Sequence, residues 1–153
     1  MARKEGVVLT NMCLLFNNKG EILVQDRLSK DWPGITFPGG HLEKDESIYE
    51  SMIREFKEET GLTLAKLKYC GILHWTPLSG VRYITFCFTA NAYEGEIKDS
   101  KEGHVFWLKI EDLKKENLSY DLEEILPVFF NDEIGEYYCL NDDNNKPIMK
   151  KLY

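Results

Sequence analysis

The sequence has no apolar run approaching the roughly 18 residues that a helical membrane crossing requires, so no bilayer anchor is expected. No secretory leader is expected either, because Arg3 and Lys4 are followed by neither an apolar core nor a small-residue cleavage site. Cysteine is sparse. Cys13, Cys70, Cys87 and Cys139 make no CxxC pair and no zinc spacing. Cys13 and Cys87 sit within apolar runs, where a thiol acts as a small hydrophobe. All four are expected to be reduced and structural, which suits a cytoplasmic protein. Positive charge is in deficit: 19 Lys and Arg face 26 Asp and Glu, a net charge of −7. Binding to a phosphate polymer draws on clustered Lys and Arg, so the deficit argues against a nucleic-acid partner. A small anionic ligand carried with a metal ion is compatible with it. No repeat, linker or low-complexity tract divides the 153 residues, and a single domain over 1–153 is expected. With 43% apolar and 29% charged residues, the chain is neither a disordered, a collagen-like nor a coiled-coil sequence.

Strand signals dominate the pattern. Val7 to Phe16 is apolar and β-branched and ends at Asn17-Asn18-Lys19-Gly20; with the alternating Glu21 to Arg27 it predicts a hairpin. Ile35 to Phe37 is a short strand running into Pro38-Gly39-Gly40. Leu64 to Leu73, Val81 to Tyr93 and Val105 to Leu108 are further strands, with His74 to Gly80 as a connection. Tyr137 to Leu140 and Ile148 to Leu152 flank Asp142-Asp143-Asn144-Asn145 as a C-terminal hairpin. The main helix spans about Ser47 to Thr60: Ser47 and Glu50 make a capping box and Gly61 a left-handed stop. Tyr49, Met52, Ile53 and Phe56 supply its apolar stripe. A helical turn over Glu111 to Lys115 and a second amphipathic helix over Tyr120 to Phe130 follow. Strands outnumber helices without alternating regularly with them, which favours a mixed sheet with helices packed on it over a doubly wound parallel sheet.

The main helix carries an oddity. Glu55, Glu58 and Glu59 share one face, roughly 115° from the apolar stripe. Carboxylates at these spacings repel, and they stand in the C-terminal half, where the helix dipole disfavours negative charge. The plain explanation is a solvated acidic face. The alternative is a site for a hard cation, which wants oxygen ligands. Carboxylates from one helix and a backbone carbonyl from the adjacent Gly39-Gly40 loop would supply several.

The run from Gly40 through Glu46 to Arg54-Glu55-Phe56-Lys57-Glu58-Glu59-Thr60-Gly61-Leu62 resembles the Nudix box, Gly-x5-Glu-x7-Arg-Glu-U-x-Glu-Glu-x-Gly-U with U a bulky aliphatic residue. Every fixed position over 40–62 matches; only the aromatic Phe56 departs at a U position, on the buried stripe. The resemblance implies an α/β Nudix fold, a mixed sheet sandwiched between helices. It implies Mg²⁺-dependent, or Mn²⁺-dependent, hydrolysis of nucleoside diphosphates linked to another moiety. By position, Glu55, Glu58, Glu59 and the Gly39 or Gly40 carbonyl are the implied metal ligands, and Arg54 is the residue orienting the carboxylates, through Glu46. Many members add an acidic residue from a later loop; Glu102 is the candidate here, with a surface turn as its alternative. Glu55, Glu58 and Glu102 are all candidates for taking a proton from the attacking water.

A looser similarity links the chain to MutT-like members that act on 8-oxo-dGTP. It rests on Trp32-Pro33-Gly34 before the box, Glu102-Gly103 followed by Trp107 after it, and the paired aromatics near the C-terminus. Arg27 is a candidate phosphate contact or a surface residue. Trp32 and Trp75 are stacking candidates, while Trp107 reads as packing. Asn117 or Asp121 would read a base edge, unless Ser119 or Asp121 serves only as a helix N-cap. His41, His74 and His104 are given ordinary surface or packing roles. The expected partner is a small nucleotide, a purine nucleoside triphosphate foremost, with a nucleotide sugar such as ADP-ribose or a dinucleoside polyphosphate as alternatives. A non-catalytic Nudix-like sensor is the rival class; such sensors usually lose box carboxylates, all of which are present here. A monomer or homodimer is expected.

Overall fold

The computed structural model describes residues 2–153. Ten strands form three sheets. Strands β1 (Val7–Leu15), β5 (Lys68–Pro77), β6 (Arg82–Ala90), β9 (Glu136–Asn141) and β10 (Pro147–Leu152) make a mixed sheet in the order β1-β6-β5-β9-β10. In it β1–β6 and β5–β9 are parallel, while β5–β6 and β9–β10 are antiparallel. Strands β3 (Gly34–Thr36), β2 (Ile22–Arg27) and β8 (Gly103–Leu108) form an antiparallel sheet in that order, and β4 (Thr63–Ala65) pairs with β7 (Ala92–Glu94). Among the described residues, no helix is long and apolar enough to cross a membrane.

The sandwich follows from strand alternation. On β1, Cys13 and Leu15 point to a core shared with Met52 and Phe56 of α1 (Ile48–Thr60). Leu14, between them, points to the opposite core, which holds Val128 and Phe129 of α2 (Leu126–Phe130). Phe88 and Cys87 of β6 divide the same way. Each sheet face therefore receives one helix, and β1 must be apolar on both sides.

The N-terminal hairpin does not form as expected. Asn17 does reverse the chain, its side-chain oxygen accepting from the amides of Lys19 and Glu21. Beyond one bridge between Phe16 and Ile22, however, β1 and β2 part into different sheets. The reason is competition for β1's backbone groups. One edge of β1 is taken by β6 over nine residues. The other is taken by the loop after β3: Cys13 N donates to the Pro38 carbonyl at 3.0 Å, and Asn11 N to that of Gly40 at 2.8 Å.

Other expectations are corrected in detail. The segment expected as one strand from Leu64 breaks at Lys66, whose φ is 52°, and β5 then runs on through Pro77. Trp75 is thus a strand residue, not part of a connection. The Val81 to Tyr93 segment divides into β6 and β7. The late helix shrinks to Leu126–Phe130, because Pro127 suits only the first turn of a helix, while Tyr120 is left-handed at φ 45°. The turn over Glu111 to Lys115 is a 3₁₀ helix, Ile110–Lys115. The C-terminal hairpin forms as expected.

Helix α1 matches its sequence signals. Ser47 accepts from Glu50 N while the Glu50 side chain accepts from Ser47 N, and Gly61 closes the helix at φ 80°. Its buried stripe differs: Tyr49 is 48% exposed, with its ring edge-on to Phe88, while Glu59 is buried. Replacing Ser47 by Ala should cost about 1 kcal/mol and lower Tm by about 2–4 °C, measured by thermal melting; an unchanged Tm would show that the box contributes nothing.

Candidate active site

The pairing of β1 with the loop after β3 brings that loop against α1. Asn11 Oδ1 accepts from Gly40 N at 3.0 Å, and Asn11 Nδ2 donates to Ser51 Oγ at 2.8 Å. One buried side chain on β1 therefore ties loop to helix. Gly39 N donates to Glu59 Oε2 at 2.9 Å. Gly40 lies directly against the Glu55 carboxyl, so a β-carbon there would collide with it. The glycine serves close approach here. The Gly40 carbonyl is engaged by Asn11 N, whereas no hydrogen bond reaches the Gly39 carbonyl among the described residues.

Arg54 organises the carboxylates. Its guanidinium makes a two-pronged contact with Glu46, at 2.6 and 2.8 Å, and reaches the His41 carbonyl at 3.0 Å. Its other terminal nitrogen donates to Glu55 at 3.0 Å and Glu58 at 3.3 Å. Hydrogen bonds from Arg54 hold the Glu46 carboxyl down at about 2. Glu59 is the opposite case. It is 7% exposed, and burial pushes its carboxyl up to about 8, against the Gly39 amide bond. Glu55 and Glu102 nearby push it further up, while Arg27 pulls it down.

A cavity of about 600 Å³ joins these groups: Glu55, Glu58, Glu59 and Glu102 line it with Gly39, Gly40 and Arg27. A second, more apolar cavity of about 360 Å³ shares Arg27, Trp32 and Trp75 with the first and continues to Asp121. The Trp32 ring stands 4.2 Å from that of Tyr120 and 5.9 Å from that of Trp75, and Trp75 is stacked on Tyr83 at 4.1 Å. Asp121 accepts from the Tyr137 hydroxyl at 2.8 Å and from Lys150 Nζ at 2.7 Å. It is no helix cap, since α2 begins five residues later with no side-chain cap. Asn117 lines neither cavity. It is exposed, and its backbone carbonyl accepts from Ile35 N. His41 lines the first cavity and His74, paired with Glu136, the second, while His104 lines neither and pairs with Asp99.

Sequence reasoning missed Asn11, Gln25, Tyr83, Tyr120, Tyr137 and Lys150. For Asn11 a signal exists, an amide within the largely apolar β1, whereas Gln25 opens the polar half of β2 and is not marked locally. The others are assembled from β6, the turn after the 3₁₀ helix and the C-terminal hairpin, and no local pattern marks them.

The donor set suits a hard divalent ion. Glu55, Glu58, Glu59 and Glu102 share one cavity with a free carbonyl, and a carboxylate as buried as Glu59 carries its charge at a cost that a cation would offset. Among the described residues, no three of these side chains close into a ready-made cage.

Residues 8–129 match the NUDIX domain model, and the chain belongs to the Nudix family. It is similar to the "Uncharacterized Nudix hydrolase YvcI" of Bacillus subtilis, 29% identical over 67% of this chain and 66% of that protein. It is 32% identical to an "ADP-ribose pyrophosphatase" of Methanocaldococcus jannaschii, over 73% of this chain and 67% of that one. A mouse "8-oxo-dGDP phosphatase NUDT18" is 28% identical over 65% of this chain. The match spans only 30% of the mouse protein and just under two thirds of the Bacillus one. The crystal structure of a MutT protein from Bacillus halodurans superposes with a TM-score of 0.76, covering 95% of this chain and 97% of that one at 22% identity. The fold is the Nudix fold.

Glu59 generates a pH prediction. Its folded carboxyl titrates near 8 against an ordinary value of 4.5, so the native state holds a proton that the unfolded state releases. Its stabilising contribution is complete below about pH 4.5 and is lost as pH rises through 8. Metal-free protein should therefore unfold at lower urea at pH 9 than at pH 5, and Glu59→Gln should flatten that decline. An equally steep decline in the variant would locate the effect elsewhere.

Proposed function

We propose that this Nudix-family chain hydrolyses a pyrophosphate bond in a nucleoside di- or triphosphate derivative, with Mg²⁺ or Mn²⁺. The observation that carries the reading is one cavity lined by Glu55, Glu58, Glu59, Glu102 and Arg27, sharing a wall with a second cavity lined by aromatic rings. The first suits a phosphate chain accompanied by cations, and the second suits a base. Glu55, Glu58, Glu59, Glu102 and the Gly39 carbonyl would hold the metal. A bound divalent ion supplies charge neutralisation for phosphate oxygens and Lewis acidity toward the phosphoryl group. Arg54 orients Glu55 and Glu58 and holds them apart from the other carboxylates. Arg27 reaches the phosphate chain from the wall shared by both cavities.

The Glu102 carboxylate has no hydrogen-bond or ion-pair partner among the described residues, whereas Glu55 and Glu58 are held by Arg54 and Glu59 by Gly39 N. That freedom makes Glu102 the group best placed to take the proton of the attacking water. Glu102→Ala should then lower kcat more than it raises KM. Changes within about twofold in both, with stability moving by less than ~0.5 kcal/mol, would make it a surface turn residue. Glu58→Gln should lower turnover at least ~100-fold, the equivalent of several kcal/mol of lost metal-linked stabilisation, while folding stability stays level. Unimpaired hydrolysis by the purified variant would remove Glu58 from the metal set.

For substrate we infer a purine nucleoside triphosphate, an oxidised guanine nucleotide foremost, cleaved to monophosphate and pyrophosphate. Trp32 and Trp75 supply the stacking walls, and stacking alone tolerates any base. Asp121, held by Tyr137 and Lys150, supplies an acceptor for N–H donors on a base edge, and discrimination requires such a placed polar group. Asn117 plays no part in this reading. ADP-ribose is the second reading, favoured by the similarity to the archaeal pyrophosphatase. The deciding measurement is kcat/KM for 8-oxo-dGTP against dGTP and ADP-ribose. A ratio to dGTP near one, or a clear preference for ADP-ribose, would defeat the oxidised-purine assignment.

A further inference from the structure

Among the described residues, Gln25 Nε2 is the one buried side-chain nitrogen or oxygen left without a hydrogen-bond partner. Gln25 lies on the central strand of its sheet, opposite Thr36 on β3 and Val105 on β8, and it is 1% exposed. Its Nε2 is sealed from solvent and has no hydrogen-bond partner among the described residues. Buried polar groups are almost always satisfied, and an exception calls for a physical reason. An apolar side chain of the same length would fill this space without the desolvation penalty. Gly103 on β8 lets its strand lie against the Asp26 carbonyl, and a β-carbon there would also stand 3.1 Å from Gln25 Cγ.

Its placement indicates what the amide meets. Gln25 precedes Arg27 by two residues on β2, so both side chains leave the same face. It lines the carboxylate cavity and not the aromatic one. Its partner therefore belongs to the phosphate end of a ligand. The charged donors lining that cavity are Arg27, Lys101 and Arg54, and Arg54 is committed to Glu46, Glu55, Glu58 and the His41 carbonyl. The amide is two-fold about its last torsion, so rotation can turn its N–H₂ toward an arriving anion. Its neutrality matters as well. A lysine at this depth would pair with the buried Glu59 and take that carboxylate from its other tasks, whereas an amide donates without adding charge.

We propose that the Gln25 amide donates a hydrogen bond to a non-bridging oxygen of the bound phosphate chain, beside Arg27. The assignment rests on the hydrolase reading above. It is tested with Gln25→Met, which keeps length and removes the donor, and with Gln25→Glu, which keeps shape and opposes an anion. Inorganic pyrophosphate with Mg²⁺ serves as the binding probe, because it has no base. In Gln25→Met, Tm should stay level or rise, since an unpartnered buried amide is gone. Its pyrophosphate affinity should fall about tenfold, the ~1.4 kcal/mol scale of one hydrogen bond to a charged acceptor. KM for a hydrolysed nucleotide should rise in proportion, with kcat within about threefold. Gln25→Glu should bind pyrophosphate more weakly still. Unchanged affinity in Gln25→Met at equal or higher Tm overturns the contact. So does a fall in Tm and affinity together in both variants, which would assign the residue to packing. Wild-type protein that cleaves no nucleotide would sink the hydrolase reading itself, whereas active wild type with an unaffected Gln25→Met variant sinks only the Gln25 contact.

Discussion

The guanidinium of Arg54 is the interaction on which the rest of the site depends. Glu46, Glu55 and Glu58 carry like charges, and two of them stand in the half of α1 where the helix dipole repels anions. Arg54 answers all three at 2.6–3.3 Å and reaches the His41 carbonyl as well. A planar, permanently charged fork can do this; a lysine, as a single point charge, cannot hold three carboxylates in fixed directions. One residue thus lets a helix keep an acidic face rigid in the absence of a cation.

The second constraint is backbone pairing along β1. That strand gives one edge to β6 and the other to the Pro38–Gly40 stretch, so the glycine loop becomes in effect a strand neighbour. Asn11 and the Gly39 amide then pin the loop to α1 at Ser51 and Glu59. Burying Glu59 raises its carboxyl to about 8, so this tie is made at an electrostatic cost. The cost falls within the candidate site, and perturbed carboxyls of this kind cluster at functional sites. The loop position is therefore set by main-chain hydrogen bonds and its chemistry by two side chains on neighbouring elements.

A net charge of −7 would keep a di- or triphosphate away from the surface. Within the first cavity the balance is local. Five glutamates share it with Arg27, Arg54, Lys101 and the neutral amide of Gln25, and the more apolar second cavity lies beyond. Cations accompanying a phosphate chain reverse the sign of such a pocket, since they are the largest local charges in it. The acidity of the chain is thus compatible with a small nucleotide carried with cations.

What the amino-acid sequence determined by itself was whatever depends on neighbours within one or two turns. The extent of α1, its Ser47 cap and Gly61 stop, and the turn of the C-terminal hairpin are of that kind, because each rests on contacts between residues a few positions apart. Tertiary structure decided everything that required choosing among distant partners. The turn at Asn17 predicts a hairpin, yet the Pro38–Gly40 loop outcompetes β2 for the edge of β1. Periodicity alone placed Glu59 on an open acidic face, yet the packing of the glycine loop buries it. Asp121 read locally as a possible cap, and only the approach of Tyr137 and Lys150 from the last two strands makes it a wall of the second cavity. Local hydrogen bonds and short-range periodicity are written in adjacent residues; competition for a strand edge and burial of a charge are settled only when segments far apart in the chain meet.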